Sequence, residues 1–381
     1  MNLRSLVGAT FLLTACGACG SDSPPPVVDV PGCDAATLLS RPVDPAARGP
    51  WPVGARTVAL GRLGKVEVWY PATRGSEVGQ ATARYDIRAA LNASQQTIIP
   101  DADNPWQSCD CYRDLPLDDA HGPYPAVVFV HGTAAFRHQS LSIVTHWASR
   151  GFVVIAADHP GLLLGDILTM LCPDTPTGAR DLAGDVAAEV AALGAPTGEL
   201  GFLAGHVDAT RLAVAGHSAG ANTAAGAAGL PGVQVVISLA GNQAVSAGPA
   251  LRRSLFMAGD RDGIVTAASA HDAWAASPTP RDYLSIVDGA HLAFADLCQT
   301  KNAAGKDLLA VAEQYNLCGA PAAGLLFDCD PAYIPGPEAW AIINFASTAV
   351  LESTLQCRTD GTPIEQVDDT YPKAHNYEAV P

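Results

Sequence analysis

An α/β fold, with a mostly parallel sheet, helices on both faces and antiparallel strands at its N-terminal side, is what the 381-residue sequence predicts. Three observations predict it. Short apolar runs recur at 126–130, 152–157, 212–215, 233–239, 254–258 and 283–287. Runs with no polar alternation read as strands buried on both faces, the pattern of a parallel sheet. Between them, 141–150, 179–193 and 267–276 carry helical spacing, and strand–helix alternation places helices on each side of such a sheet. Ahead of these, TVALGRLGKVEVWYPA alternates apolar with polar and is rich in β-branched residues, which predicts a pair of antiparallel strands. The stretch 73–123 is irregular, with a short helix expected near 87–94, and no internal repeat is present.

The bulk numbers narrow the partners. The 36 glycines and 29 prolines follow no period, which excludes a collagen-like chain. The formal net charge is −16 and cations are scarce, with no basic stripe to hold a phosphate backbone, so nucleic acid is not an expected partner. The N-terminus, MNLRSLVGATFLLTACG, has an early Arg, a short apolar run and small residues before Cys16. It reads as a secretory leader over 1–15, too short to span a bilayer. Leu13-Thr14-Ala15-Cys16 also resembles a bacterial lipobox, which implies a lipid on Cys16 and a place in the cell envelope; ordinary cleavage nearby and free secretion is the alternative. No later segment offers about 20 uncharged apolar residues, so the anchor would be the only membrane contact. Beyond Cys16 and Cys19 eight cysteines remain, an even number that suggests disulfides in an exported chain, with 105 possible pairings. Cys109-Asp110-Cys111 has no second pair or His cluster at zinc spacing, so disulfide chemistry is the better reading and no metal is expected. The expected organisation is a leader at 1–15, a Pro-rich tether at 16–48, a folded domain at 49–357 with a Cys-containing C-terminal extension, and a polar tail at 358–381.

The chemistry centres on Gly216-His217-Ser218-Ala219-Gly220, which interrupts the apolar run at 212–215 and precedes an Ala-rich stretch suited to a helix. A G-x-S-x-G turn between strand and helix exposes its serine, and only very small neighbours fit there. A plain strand-to-helix corner is the alternative. A serine hydroxyl needs a base, and the base an orienting acid, which in this arrangement follow the serine in the order Asp or Glu, then His. SLFMAGDRDGIV supplies Asp260 and Asp262 in the loop after a strand, and Asp262, further into the loop, is the candidate acid. YLSIVDGAHLAF supplies His291, the candidate base. His271 falls within a helical stretch and His375 in the polar tail, and His217 is expected to point away from the site in a packing role. The oxyanion that forms in acyl transfer needs backbone donors. Ala219, after the serine, and Thr133, in VFVHGTAAF, are the candidates, unless His131-Gly132 is a simple turn.

These residues resemble the α/β-hydrolase superfamily, and more narrowly its branch of predicted dienelactone hydrolases and platelet-activating-factor acetylhydrolase-like proteins. GPWPVGARTVAL, VEVWYPA, YDIRAAL, HGTAAFRHQ, HWASRGFVVIAADHPG, GHSAG, AGDRD and DGAHLAF carry the resemblance, from residue 49 to 291 and beyond. It implies an α/β-hydrolase fold and a serine carboxylic-ester hydrolase working through an acyl-enzyme, with no cofactor. Ser218 departs from the cysteine nucleophile of true dienelactone hydrolases, which argues against that substrate. The stretch 298–357 has no counterpart and is expected to be a disulfide-tied extension near the site; LLLGDILTMLCPDTPTG is expected to be a lid, part of an acyl pocket, or a plain connection. A small-molecule ester is the expected substrate and a monomer the expected state. An extracellular polyesterase or lipase, and a non-catalytic surface binding module, are the alternatives.

Overall fold

The computed structural model describes residues 37–173, 176, 178–324 and 327–381. The expected leader 1–15, the anchor Cys16 and most of the tether lie outside the described residues.

In chain order the strands are β1 (Val53–Ala59), β2 (Lys65–Pro71), β3 (Arg84–Tyr85), β4 (Gln107–Ser108), β5 (Tyr112–Arg113), β6 (Tyr124–Val130), β7 (Val153–Ala157), β8 (Val207–His217), β9 (Val233–Leu239), β10 (Arg253–Gly259), β11 (Arg281–Ile286) and β12 (Ala374–Val380). Ten form one sheet in the order β12-β11-β10-β9-β8-β6-β7-β2-β1-β5, and β3 pairs with β4 apart from it. The six strands from β7 to β11 in that order run parallel, while β1–β2, β2–β7 and β11–β12 are antiparallel.

The apolar runs are buried because both faces are covered. Val127 and Phe129 of β6 join a core with Trp147 of α1 (Leu141–Ser149) and Ile343 of the later α8 (Gly336–Leu355). Their neighbours Ala126, Val128 and Val130 face the other way, toward α3 (Leu182–Gly194), α4 (Ala219–Gly226) and α5 (Ala267–Ala275), through Val186, Ala224 and Trp274. This period-two alternation, apolar on both sides, is what an unbroken hydrophobic strand requires.

Two differences from the sequence reading are physical. The stretch 358–381, expected to be a polar tail, ends in β12, which pairs from Arg281↔Val380 to Ile286↔Ala374. It is an edge strand with His375, Asn376 and Glu378 exposed, so it shows no apolar run, and polar edges of this kind discourage further pairing. The near absence of an amphipathic stripe similarly hid α8. That helix touches α1, β9, β10 and α9 (Val367–Thr370), so it is buried on several sides at once.

The C-terminal extension adds α6 (Leu308–Gln314) and α7 (Ala320–Ala323), and the segment after β7 adds α2 (Leu164–Leu168). Among the described residues, disulfides join Cys109 to Cys111, Cys172 to Cys318 and Cys298 to Cys329. No described helix is long and apolar enough to cross a membrane.

Candidate active site

Ser218 stands between the end of β8 and the start of α4 at φ 58°, ψ −120°. Non-glycine residues avoid that region, so the surrounding structure must hold it there. Its N–H donates to the Leu239 carbonyl at 2.9 Å, and the flanking glycines allow backbone to pack against backbone. A Cβ on Gly220 would lie 2.6 Å from the His131 carbonyl oxygen and nearer still to that of Val130; one on Gly216 would lie 2.8 Å from Ala221 N. Gly220→Ala is therefore expected to destabilise the protein by about 1–3 kcal/mol through overpacking, read as a fall in Tm. A Tm unchanged from the parent would mean that this turn is not tightly packed.

The loop after β10 carries Asp262 and the loop after β11 carries His291. Asp262 Oδ2 accepts from His291 Nδ1 at 2.8 Å. Its Oδ1 accepts from the Ile264 and Val265 N–H groups, each at 2.8 Å, and the side chain is closed off from solvent. With Nδ1–H committed to the carboxylate, His291 Nε2 is left as the acceptor. Asp260, the other candidate acid, is exposed at the strand end. His271 lies on α5 at the surface, 3.1 Å from Glu378, and His375 is exposed on β12.

His217, the residue before Ser218, links the serine turn to the loop of His291. Its Nε2 donates to the His291 carbonyl at 2.9 Å, and the two rings are 4.7 Å apart. Its Nδ1 accepts from Gln139 Nε2 at 3.1 Å, while Gln139 Oε1 accepts from the Gly132 N–H at 2.8 Å. Burial, reinforced by the neighbouring His291, holds the His217 pKa well below the ordinary imidazole value, so the ring stays neutral with its proton on Nε2. One glutamine and one histidine thus bind together the loop after β6, the serine turn and the loop of His291. The packing role expected of His217 is only part of its work. Among the described residues the Ser218 hydroxyl itself makes no hydrogen bond. Contacts of that kind commonly tighten only when substrate binds.

The loop after β6 packs directly on the turn, since a Cβ on Gly132 would lie 3.4 Å from Ser218 Cβ. Ala219 is the first residue of α4, where the N–H has no partner within the helix. Thr133 lies in the Gly132–Ala134 bend, and the Ala134 N–H donates to Leu162 O at 3.0 Å. Further along, Arg137 donates to both oxygens of Asp158, at 2.9 Å from its backbone and 2.6 Å from its guanidinium, and reaches Glu67 of β2 at 3.4 Å. Glu67 is fully buried and also accepts from Tyr85 at 3.0 Å and Thr57 at 2.7 Å. His131, at the head of the loop, is driven down to about 3 by burial and by His159, and so is neutral. Among the described residues no three His, Cys, Asp or Glu side chains are grouped to hold a metal ion.

Sequence reasoning did not assign Gln139, Arg137 or the polar links of His217. All three lie in quoted motifs, HGTAAFRHQ and GHSAG, but their partners are distant in sequence.

Residues 127–365 match the model of the alpha/beta hydrolase family, and residues 88–162 match that of platelet-activating factor acetylhydrolase, isoform II. No curated protein matches the chain.

Proposed function

The chain belongs to the alpha/beta hydrolase family and is a hydrolase, and we propose that it is a serine carboxylic-ester hydrolase working through an acyl-enzyme. The observation that carries this reading is the 2.8 Å contact between His291 Nδ1 and Asp262, on a loop bonded to His217, the residue before a serine held in a strained turn. Ser218 Oγ attacks the ester carbonyl as its proton passes to His291 Nε2. Asp262 keeps the ring in the required tautomer and faces the imidazolium that forms. The oxyanion is held by the N–H groups of Thr133 and Ala219, aimed where charge develops. His291 then protonates the departing alkoxide, and a water deprotonated by the same ring releases the acid and restores Ser218.

The disulfides support an oxidising compartment, hence export. Attachment through a lipid on Cys16 belongs to the same proposal. A fluorophosphonate probe followed by peptide mass spectrometry tests the mechanism. One adduct on Ser218 is expected, and an unlabelled Ser218 in folded protein would return the chain to a binding role.

A further inference from the structure

Between α2, α6 and α7 lies an apolar cavity of about 80 Å³. Its wall includes Phe136, Leu164, Leu168, Ala312 and Phe327. Of the polar residues on it, Arg88 Nε and Asn104 Nδ2 each donate to Asp86 at 2.9 Å, while Asn104 Oδ1 is buried without a hydrogen-bond partner and is the one polar exception in an otherwise aliphatic and aromatic lining. Two connections tie this cavity to the chemistry. Phe136 and Leu164 share one packed cluster with Leu292, the residue after His291. The loop carrying Thr133 bonds to the other wall, Leu164 N donating to Ala135 O at 3.0 Å.

The cavity is also held in shape. Cys318, on its wall, is bonded to Cys172 at the end of the α2 segment, and its N–H donates to Gln95 at 2.7 Å. Gly319, at φ 87°, lets the backbone press on Leu168, whose Cδ2 a Cβ there would strike. Unfilled space lined by aliphatic carbon is destabilising, and a wall stapled around it keeps it from collapsing.

We propose that this cavity receives the aliphatic chain of the ester substrate, so that the protein favours chains well beyond acetyl or ethyl. The proposal rests on the esterase reading above. Apolar pockets with few polar groups bind by area, and each methylene that enters one raises selectivity by a measurable factor.

The test compares kcat/KM of the parent and Ala312→Trp over two substrate sets, p-nitrophenyl esters from acetate to decanoate and alkyl acetates from ethyl to decyl. The variant is expected to lose about tenfold or more on the eight-carbon member of one set, while p-nitrophenyl acetate and ethyl acetate stay within about twofold. Loss in the first set places the acyl chain in the cavity, and loss in the second places the alcohol chain there. Equal losses at every length, or none in a folded variant, would overturn the proposal. Leu168→Ala, which widens the cavity, is expected to move the optimum to longer chains, and it decides the matter if the Trp variant does not fold. Calorimetry of octanoate and octanol on Ser218→Ala protein separates the two readings. Binding abolished by adding Ala312→Trp, in a chain whose parent turns over no ester, would keep the cavity and end the esterase reading. Turnover with unchanged length dependence would do the reverse.

Discussion

Ser218→Ala is expected to lower kcat on p-nitrophenyl butyrate by about 10⁶-fold while leaving the fold intact. The two halves of this expectation have separate grounds. The hydroxyl is the only group the proposed mechanism offers as nucleophile, and alanine supplies none. Stability should hardly change, because Ser218 Oγ makes no hydrogen bond among the described residues and the backbone strain at φ 58° is the same for serine and alanine. Removal of His291 together with Ser218 should cost no more than either alone, since such groups act as one unit; residual turnover of about 10³–10⁴ over water would come from the oxyanion donors and from binding. Steady-state kinetics beside thermal unfolding checks both. Butyrate turnover within tenfold of the parent in folded Ser218→Ala protein would remove serine catalysis.

The legible parts of this chain are those in which one stretch of residues decides its own environment. The run 233–239 is apolar at almost every position because β9 is buried on both faces, and its bounds could be read directly. The serine turn could be read because its geometry excludes side chains at Gly216 and Gly220, so the constraint is written locally. Asp262 and His291 each follow a strand, and the order of these loops along the sheet edge is a consequence of the parallel topology. What could not be read depends on meetings of distant segments. His217 and Gln139 are 78 residues apart, and neither residue type announces the other. The strand β12 reads as a tail because an edge strand has one side in solvent. The burial of α8 on several sides erases the stripe by which a surface helix is found.

The same dependence on distant meetings governs the second large effect. Glu352, near the end of α8, is expected to be worth about 3–5 kcal/mol, the loss on replacing it with alanine. Its Oε1 accepts from Arg150 Nε at 2.7 Å, and its Oε2 from Arg150 Nη2 at 3.0 Å and Arg358 Nη1 at 2.7 Å. Arg41 stands 3.9 Å away. Arg150 is wholly buried and also donates to the carbonyls of Pro42, Asp44 and Ala47, so this carboxylate joins the stretch before β1, the end of α1 and α8. Burial pulls Arg41 down to about 10. For Arg358 burial opposes the charge, but Glu352 and Asp360 together more than offset it, and the pKa is raised. Three guanidiniums therefore lean on one anion. Glu352→Ala leaves Arg150 wholly buried without its counter-charge, while Arg358 keeps Asp360 at 2.7 Å and Arg41 lies part-exposed. Stranding a buried charge is the costly way to break such a cluster, whereas exposed ion pairs elsewhere on the chain are worth little. At roughly 2–4 °C per kcal/mol for a domain of this size class, the expected fall in Tm is about 10 °C. Glu352→Gln keeps the shape and one acceptor, and should fall between the two. A loss under about 1 kcal/mol for the alanine variant, the scale of an exposed pair, would mean that water reaches these arginines and that the cluster does not clamp the N-terminal segment to α8.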